Sequence, residues 1–108
     1  LNICLKYGGQ AEIVDTTKKI VNEVLNGNIK IDDIIEKLFR DNLYNSLPYM
    51  DLLIRTSGEQ RLSNYLLWQL AYTEFYFTDV LWPDFNKKEL QKAIEYYNSR
   101  DRRFGAVK

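Results

Sequence analysis

Residues 50–64, MDLLIRTSGEQRLSN, place a short apolar run directly in front of a polar tract. The apolar run, residues 50–54, predicts a strand buried on both faces, as strands of a parallel sheet are. Ligands of parallel sheets bind beyond the carboxyl ends of the strands, and the polar tract from Arg55 to Asn64 begins at that position. The stretch therefore predicts a sheet strand followed by a ligand-binding loop.

The residue types of this polar tract suit a phosphate group. Arg55 and Arg61 carry planar guanidinium groups that match phosphate oxygens bidentately. Ser57-Gly58 allows close backbone approach, and Ser63 or Asn64 would cap a following helix whose free N–H groups point at the same place. Two arginines, a hydroxyl group and a helix N-terminus together predict a diphosphate pocket.

The same loop has a plainer interpretation. An arginine beside Glu59 forms a solvated ion pair of little energy, and Ser63 is then only a helix cap. The tract is neither a P-loop nor a dinucleotide-binding motif, because GxxxxGK[ST] and GxGxxG are both missing from it. Spacing alone leaves the phosphate pocket and the solvated loop both open.

The chain before this stretch predicts one strand and two helices. Residues 1–5 predict a buried strand, which Tyr7-Gly8-Gly9 breaks. Residues 10–25 predict a helix that ends at the glycine signal Asn26-Gly27-Asn28, with helically spaced apolar residues at Ile13, Ile20, Val24 and Leu25. A second helix is predicted from Asp32, an acceptable N-cap, with inward residues Ile34, Ile35, Leu38 and Phe39.

The chain after this stretch continues to alternate helix and strand. The residues that follow Asn64 predict a helix, with apolar residues Leu66, Leu67, Leu70 and Ala71. Residues 74–77 predict a strand. Asn86 begins a last helix with Glu89 as its capping-box partner and with inward residues Leu90, Ile94 and Tyr97. The alternation predicts an α/β fold, a parallel β-sheet flanked by helices, with residues 1–108 in a single domain.

Composition excludes several kinds of chemistry. The 108 residues contain no histidine, which removes histidine-activated nucleophiles and most zinc sites. The single Cys4 allows no disulfide framework, which favours a reducing, cytoplasmic setting. The formal net charge is zero, so the chain as a whole has no electrostatic attraction to nucleic acid. No apolar run approaches the ~20 residues that span a bilayer.

Four segments resemble the cis-prenyltransferases, and most closely the bacterial undecaprenyl diphosphate synthases. The first is residues 55–69, RTSGEQRLSNYLLWQ, which contains the polar tract. The others are residues 71–77, AYTEFYF, residues 81–85, LWPDF, and residues 102–105, RRFG. The resemblance extends over essentially the whole chain, and its motifs are long and specific.

The resemblance implies a role for five residues. Arg55, Arg61 and Ser63 match the positions that hold the diphosphate of isopentenyl diphosphate. Glu74 matches a carboxylate associated with the Mg²⁺ site, and Arg103 belongs to an Arg-x-Gly motif that reaches a phosphate across a dimer interface. Purely structural interpretations of these residues remain open, because Glu74 could be a surface charge and the C-terminal arginines could complement a helix dipole.

The resemblance also implies the reaction and its partners. Isopentenyl diphosphate is condensed with an allylic diphosphate such as farnesyl diphosphate, with Mg²⁺, to a long-chain cis-polyprenyl diphosphate such as undecaprenyl diphosphate, the lipid carrier of cell-wall synthesis. A homodimer is expected, with its face around Trp68, Tyr72, Phe75 and Tyr76. Contact with the membrane is expected to be peripheral, because the product is a lipid while the chain has no anchor.

The pattern departs from the family in two respects. The family reads Asn-Tyr-Gly-Gly-Arg where this chain has Lys6-Tyr7-Gly8-Gly9-Gln10, so any role of the first and last of these positions is in doubt. The family's N-terminal half, with the aspartate motif that binds Mg²⁺ and the allylic diphosphate, does not match these residues. The chain is therefore expected to be the C-terminal part of a longer domain and to be inactive alone.

Two other functions stay open at this stage. The first is a non-catalytic partner subunit of a heteromeric cis-prenyltransferase, and the second is a phosphate-binding α/β module without prenyl chemistry. Partner subunits tend to lose the arginine-rich acceptor site, whereas this chain keeps it in full, with Arg55, Glu59, Arg61 and Ser63. That observation favours the enzyme over the partner subunit.

Overall fold

The computed structural model of the protein describes residues 1–45 and 47–102. They fall into two compact units, the first formed by Leu1–Pro48 with Ser63–Trp68 and the second by Tyr49–Leu62 with the described residues from Gln69 onward. The elements are α1 (Gly9–Leu25), α2 (Glu36–Asp41), β1 (Leu52–Arg55), β2 (Glu74–Phe77) and α3 (Lys87–Asn98). Short 3₁₀ turns cover Ile31–Asp33 and Trp82–Asp84.

The second unit is built on a parallel pair of strands. β1 and β2 pair with Leu52 opposite Glu74 and Arg55 opposite Phe77, so the predicted parallel α/β sheet is confirmed. All eight strand residues are only half-buried, and the prediction of a strand covered on both faces is wrong. The described residues supply only two strands to the sheet and one helix, α3, that packs on β2.

Helix α3 has the predicted N-cap and a different buried face. The side-chain oxygen of Asn86 accepts the N–H of Glu89 at 3.1 Å, which satisfies one of the donors that a helix N-terminus leaves without a partner. Ala93 is fully buried, whereas Leu90 and Ile94 are more than 40% exposed, so their predicted inward orientation is wrong.

Helix α1 matches its predicted bounds. It ends in a Schellman motif, in which the N–H of Gly27 (φ 77°) donates to the carbonyl of Val24 and the N–H of Asn28 donates to that of Glu23. Its buried side chains are Glu12, Thr16 and Ile20. Of the predicted apolar residues only Ile20 is fully buried, while Ile13 and Val24 are half-buried and Leu25 is exposed.

A buried carboxylate lies in this stripe. Glu12 is 2% exposed and accepts hydrogen bonds from the hydroxyl group of Tyr7 and from the backbone N–H of Tyr44, the latter at 3.0 Å. The ring of Tyr7 lies edge-on to the rings of Tyr44 and Tyr65, with centroids 6.3 and 5.7 Å away. Glu12 therefore links the start of α1 to the chain after α2 through hydrogen bonds, as a buried charge requires.

Three predicted elements of the first unit are wrong, and the first is the opening strand. Residues 1–5 form no strand, and Leu1, Ile3 and Leu5 are all at least 75% exposed. A strand requires a neighbour for its backbone hydrogen bonds. The two strands that the structure describes pair with each other, and neither adds residues 1–5.

The second helix begins later than predicted. Asp32 lies in the 3₁₀ turn, where the carboxylate of Asp33 accepts the N–H of Lys30 at 2.9 Å and closes a local turn. Helix α2 starts only at Glu36, so Ile34 and Ile35 precede it and are exposed. Aspartate side chains compete with helices for backbone N–H groups in this way.

The helix predicted after Asn64 does not form. Ser63, Asn64 and Leu66 have φ values of 50°, 65° and 45°, which lie in the left-handed region that a right-handed helix cannot contain. The segment forms turns instead, with Leu66 and Leu70 buried. Within the described residues, no helix has the length and apolar character that crossing a bilayer requires.

The cap of α3 can be tested by substitution. Asn86→Ala removes the side-chain acceptor, and we expect the free energy of unfolding of the full-length protein to fall by about 1 kcal/mol. Asn86→Asp keeps an acceptor and should stay close to the wild type. Equal losses in the two variants, measured by denaturant unfolding, would contradict this role of the cap.

The hydrogen bond between Tyr7 and Glu12 predicts that the stability of the fold depends on pH. Burial, and then the hydrogen bond to Glu12, raises the pKa of Tyr7 above its unfolded value of about 10. The protonated phenol therefore stabilises the fold fully below about pH 10, and this stabilisation is lost as the pH rises further. We expect the free energy of unfolding to drop more between about pH 10 and 12 in the wild type than in Tyr7→Phe. Parallel curves for the two proteins would refute the assignment to Tyr7.

Candidate functional site

The carboxyl edge of the sheet is held together by backbone hydrogen bonds beyond the strands. The N–H of Thr78 donates to the carbonyl of Arg55 at 3.0 Å. The N–H groups of Ser57 and Gly58 then donate to the carbonyls of Val80 and Thr78, each at 2.9 Å. The loop that follows β1 is therefore fastened to the chain that leaves β2.

The Ser57-Gly58 pair takes a conformation that suits glycine. Ser57 and Gly58 have φ values of 66° and 72°, and a Cβ atom on Gly58 would lie 3.0 Å from Oδ1 of Asp79. Close backbone approach does occur here, as predicted, but the partner is this chain itself. The two N–H groups donate within the protein and do not form an anion-binding surface.

Arg55, the last residue of β1, and Arg61, on the loop that follows, are predicted from the sequence as phosphate ligands and lie close together. Nη1 of Arg55 donates to the backbone carbonyl of Arg61, so the half-buried Arg55 supports the chain at Arg61. Nη1 of Arg61 lies 2.6 Å from Oε2 of Glu59, and the Arg61 side chain is 66% exposed. Because an exposed ion pair contributes little energy, the Arg61 guanidinium can exchange Glu59 for a stronger anion at small cost.

Ser63 belongs to the first unit and does not begin a helix. Its φ of 50° and the turn that follows remove the helix N-terminus that the sequence had predicted as part of the diphosphate pocket. That part of the prediction is wrong. The carbonyl and side-chain oxygens of the neighbouring Asn64 instead accept hydrogen bonds from N–H groups at the start of α1.

Glu74 lies at the amino-terminal end of the parallel strands, whereas Arg55 lies at their carboxyl-terminal end. Glu74 is the first residue of β2 and pairs with Leu52, so the strand separates it from the carboxyl edge by about 10 Å. Oε2 of Glu74 accepts from Nε of Arg100 at 3.2 Å. Sequence reasoning did not find this ion pair, because it joins the start of a strand to the chain after α3.

The described residues do not complete a magnesium site around Glu74. Within the part of the chain that the structure describes, no three His, Cys, Asp or Glu side chains come close enough to share a metal ion. Mg²⁺ needs several oxygen ligands, of which Glu74 supplies one carboxylate already paired with Arg100. Its role toward Mg²⁺ stays a prediction from the resemblance.

Arg102 fixes the chain after α3 to the amino edge of the sheet. Its Nη1 donates to Oδ1 of Asp51 at 2.7 Å and to the hydroxyl group of Tyr97 at 2.9 Å, and its Nη2 donates to the carbonyl of Tyr72 at 3.1 Å. The hydrogen bond to Asp51 raises the pKa of Arg102. The alternative in which this arginine serves the dipole of α3 is not what the structure shows.

The remaining sequence-predicted positions are placed only in part. Arg103, with the Arg-x-Gly motif, lies outside the described residues. Of the aromatic residues predicted for a dimer face, Trp68 packs on Phe39 in the first unit, Tyr72 is exposed, and Tyr76 packs on Tyr96 in the second unit. The dimer stays a prediction.

A small cavity of the first unit contains none of the predicted site residues. Its volume is about 190 Å³, and it is lined by Asp15, Thr16, Lys19, Asn42, Leu43 and Tyr44. The hydroxyl group of Tyr44 donates to Oδ2 of Asp15 at 2.5 Å, and this hydrogen bond raises the pKa of Tyr44. The polar groups that line the cavity therefore form hydrogen bonds mainly with one another.

Comparison with known proteins agrees with the motifs. The family model described as "Putative undecaprenyl diphosphate synthase" matches residues 1–105. The isoprenyl transferase of Streptococcus agalactiae serotype V is 58% identical in an alignment of 112 positions that covers 99% of this chain and 45% of that protein. The chloroplastic nerylneryl diphosphate synthase of Solanum lycopersicum is 56% identical over 105 residues, 97% of this chain and 33% of that protein.

The fold has a similar counterpart among solved structures. Lavandulyl diphosphate synthase from Lavandula x intermedia, in complex with dimethylallyl diphosphate, superposes with a TM-score of 0.88 at 46% identity, over 94% of this chain and 44% of that one. The chain thus spans less than half the length of these relatives. With a family model matched over residues 1–105, the chain belongs to the cis-prenyltransferase family.

Proposed function

We propose that the protein containing this chain is a prenyltransferase that condenses isopentenyl diphosphate with an allylic diphosphate. The product is a long-chain cis-polyprenyl diphosphate such as undecaprenyl diphosphate, the lipid carrier of cell-wall synthesis. The observation that carries the proposal is the exposed Arg61 guanidinium, held beside Arg55 at the carboxyl edge of the sheet. Family membership supports the assignment of this arginine pair to the acceptor diphosphate, which the resemblance implies.

The residues of this chain act on the acceptor. In the condensation, the double bond of isopentenyl diphosphate attacks the allylic carbon, the allylic diphosphate departs, and a proton leaves the acceptor. Arg61, Arg55 and Ser63 bind the acceptor diphosphate and hold the double bond in line, which lowers the barrier through positioning. No protein nucleophile is required, so the lack of histidine is no obstacle.

The other predicted participants belong to the same proposal. Farnesyl diphosphate is the proposed allylic substrate, and the dimethylallyl diphosphate in the lavandulyl diphosphate synthase structure supports an allylic diphosphate as the class. Mg²⁺, for which Glu74 is the ligand proposed in this chain, would supply charge neutralisation for a diphosphate leaving group. Arg103 serves a homodimer whose face includes Trp68, Tyr72, Phe75 and Tyr76, and the lipid product calls for peripheral membrane contact.

Arg61 gives the direct test of the proposed function. We expect Arg61→Ala in the full-length protein to reduce kcat/KM for isopentenyl diphosphate about 10- to 100-fold, the range for a lost hydrogen bond to a charged group. The measurement is incorporation of labelled isopentenyl diphosphate with farnesyl diphosphate and Mg²⁺.

A matched control separates the site from general surface charge. Lys92 is also an exposed cation paired with a glutamate, Glu89, at 3.2 Å, and Lys92→Ala should leave incorporation unchanged. Equal losses in both variants would argue against an acceptor role of Arg61. An intact protein without incorporation would favour the non-catalytic partner subunit instead.

Activity of the 108-residue chain by itself forms a separate prediction. We expect no prenyl transfer from it, because the resemblance assigns the allylic diphosphate and Mg²⁺ ligands to the part of the relatives that this chain does not match. The assay uses the same labelled substrate, with circular dichroism as the check that the chain is folded. Turnover by the folded chain alone would overturn this expectation.

A further inference from the structure

Backbone N–H groups in the motif Lys6-Tyr7-Gly8-Gly9-Gln10 form hydrogen bonds with Asn64, which lies 54 residues after Gln10 in the sequence. The N–H of Gly9 donates to the backbone carbonyl of Asn64 at 2.7 Å, and the N–H of Gln10 donates to its side-chain Oδ1 at 2.8 Å. These are the first N–H groups of α1, which have no acceptor inside the helix. The N-cap residue Gly8 has no side-chain oxygen, so Asn64 caps the helix from a distant part of the chain.

The close approach of Asn64 depends on glycine at position 9. A Cβ atom on Gly9 would lie 2.9 Å from the carbonyl oxygen of Asn64 and 2.9 Å from Cγ of Leu67. A Cβ atom on Gly8 would lie 3.1 Å from Nδ2 of Asn64, which is the end of a side chain and can adjust. Position 9 therefore cannot take a larger residue while Asn64 keeps its place.

The cap also accounts for the backbone around Ser63. Ser63 and Asn64 adopt φ values of 50° and 65° in succession, and asparagine is among the residues that tolerate this region best. Conformations of this kind persist only where the surrounding contacts determine them. The two hydrogen bonds to α1 are such contacts, and they fix the side chain of Asn64 and the peptide that follows it, directly after Ser63.

We propose that Asn64 is a positioning residue, which caps the N-terminus of α1 and thereby sets the backbone of Ser63 for binding the acceptor diphosphate. This inference rests on the proposed function of Ser63. Asn64 acts through Ser63 and through the glycine pair, a motif that the catalytic proposal otherwise leaves without a role. Residue 10 contributes its backbone N–H, so glutamine in place of the family's arginine leaves the link intact.

The test uses the full-length enzyme with two substitutions at one position. Asn64→Gly keeps the left-handed backbone and its carbonyl but deletes Oδ1, whereas Asn64→Asp keeps a side-chain acceptor. We expect Asn64→Gly to raise KM for isopentenyl diphosphate about fivefold, as the loss of one hydrogen bond implies, with KM for farnesyl diphosphate unchanged. Asn64→Asp should stay within about twofold of the wild type.

A second variant reaches the contact from the other side. Gly9→Ala displaces Asn64 and should raise the same KM. Substitution of Gly27 provides the matched control, because the φ of this residue is 77° and nothing lies within 4 Å of its Cβ position. Gly27→Ala strains the same helix at its far end and should lower Tm without any change in KM.

Hydrogen exchange measures the strength of the helix cap independently of catalysis. The amide of Gln10 should exchange faster in Asn64→Gly than in the wild type and in Asn64→Asp. Faster exchange and a lower Tm with unchanged KM would overturn the positioning role and leave the proposed function standing. A wild-type enzyme that neither binds nor incorporates isopentenyl diphosphate would instead overturn the proposed function, and the inference with it.

Discussion

The parallel backbone pairing of β1 with β2 is the constraint on which the second unit depends. Its register places Arg55 opposite Phe77 at one edge and Glu74 opposite Leu52 at the other. The pairing continues past the strands, because Ser57 and Gly58 donate to carbonyls of the chain after β2. Arg61 thus lies on a loop that backbone hydrogen bonds restrain, which keeps a long, exposed guanidinium group near one place.

The two edges of the sheet carry different electrostatic arrangements. At the carboxyl edge, Arg61 and Glu59 form an ion pair that is exposed to solvent, and the carboxylate of Asp79 lies beside Gly58. At the amino edge, Glu74 and Asp51 are each matched by an arginine, at 3.2 and 2.7 Å. An exposed ion pair is therefore found where a diphosphate is proposed to bind, and two arginine–carboxylate pairs are found where the chain after α3 contacts the sheet.

The first unit depends on buried polar contacts that the apolar sequence pattern did not indicate. Glu12 and Thr16 are its most buried large side chains, and Glu12 joins Tyr7 to Tyr44 through hydrogen bonds. Asn64 joins the same unit by capping α1. Buried polar groups of this kind specify one arrangement, since each costs free energy if its partner is displaced.

The amino-acid sequence by itself determined the features that rest on local chemistry. Helix α1 with its glycine end, the cap at Asn86, the two strands and the proximity of Arg55 to Arg61 were all predictable, because periodicity, capping residues and short loops act within a few residues. Long motifs were also sufficient to indicate the family. Tertiary structure alone decided that residues 1–5 form no strand, that Asn64 caps α1 instead of a helix of its own, and that Glu74 faces Arg100. These outcomes depend on hydrogen-bond partners distant in sequence, and a local pattern carries no information about which distant donor or acceptor will be present.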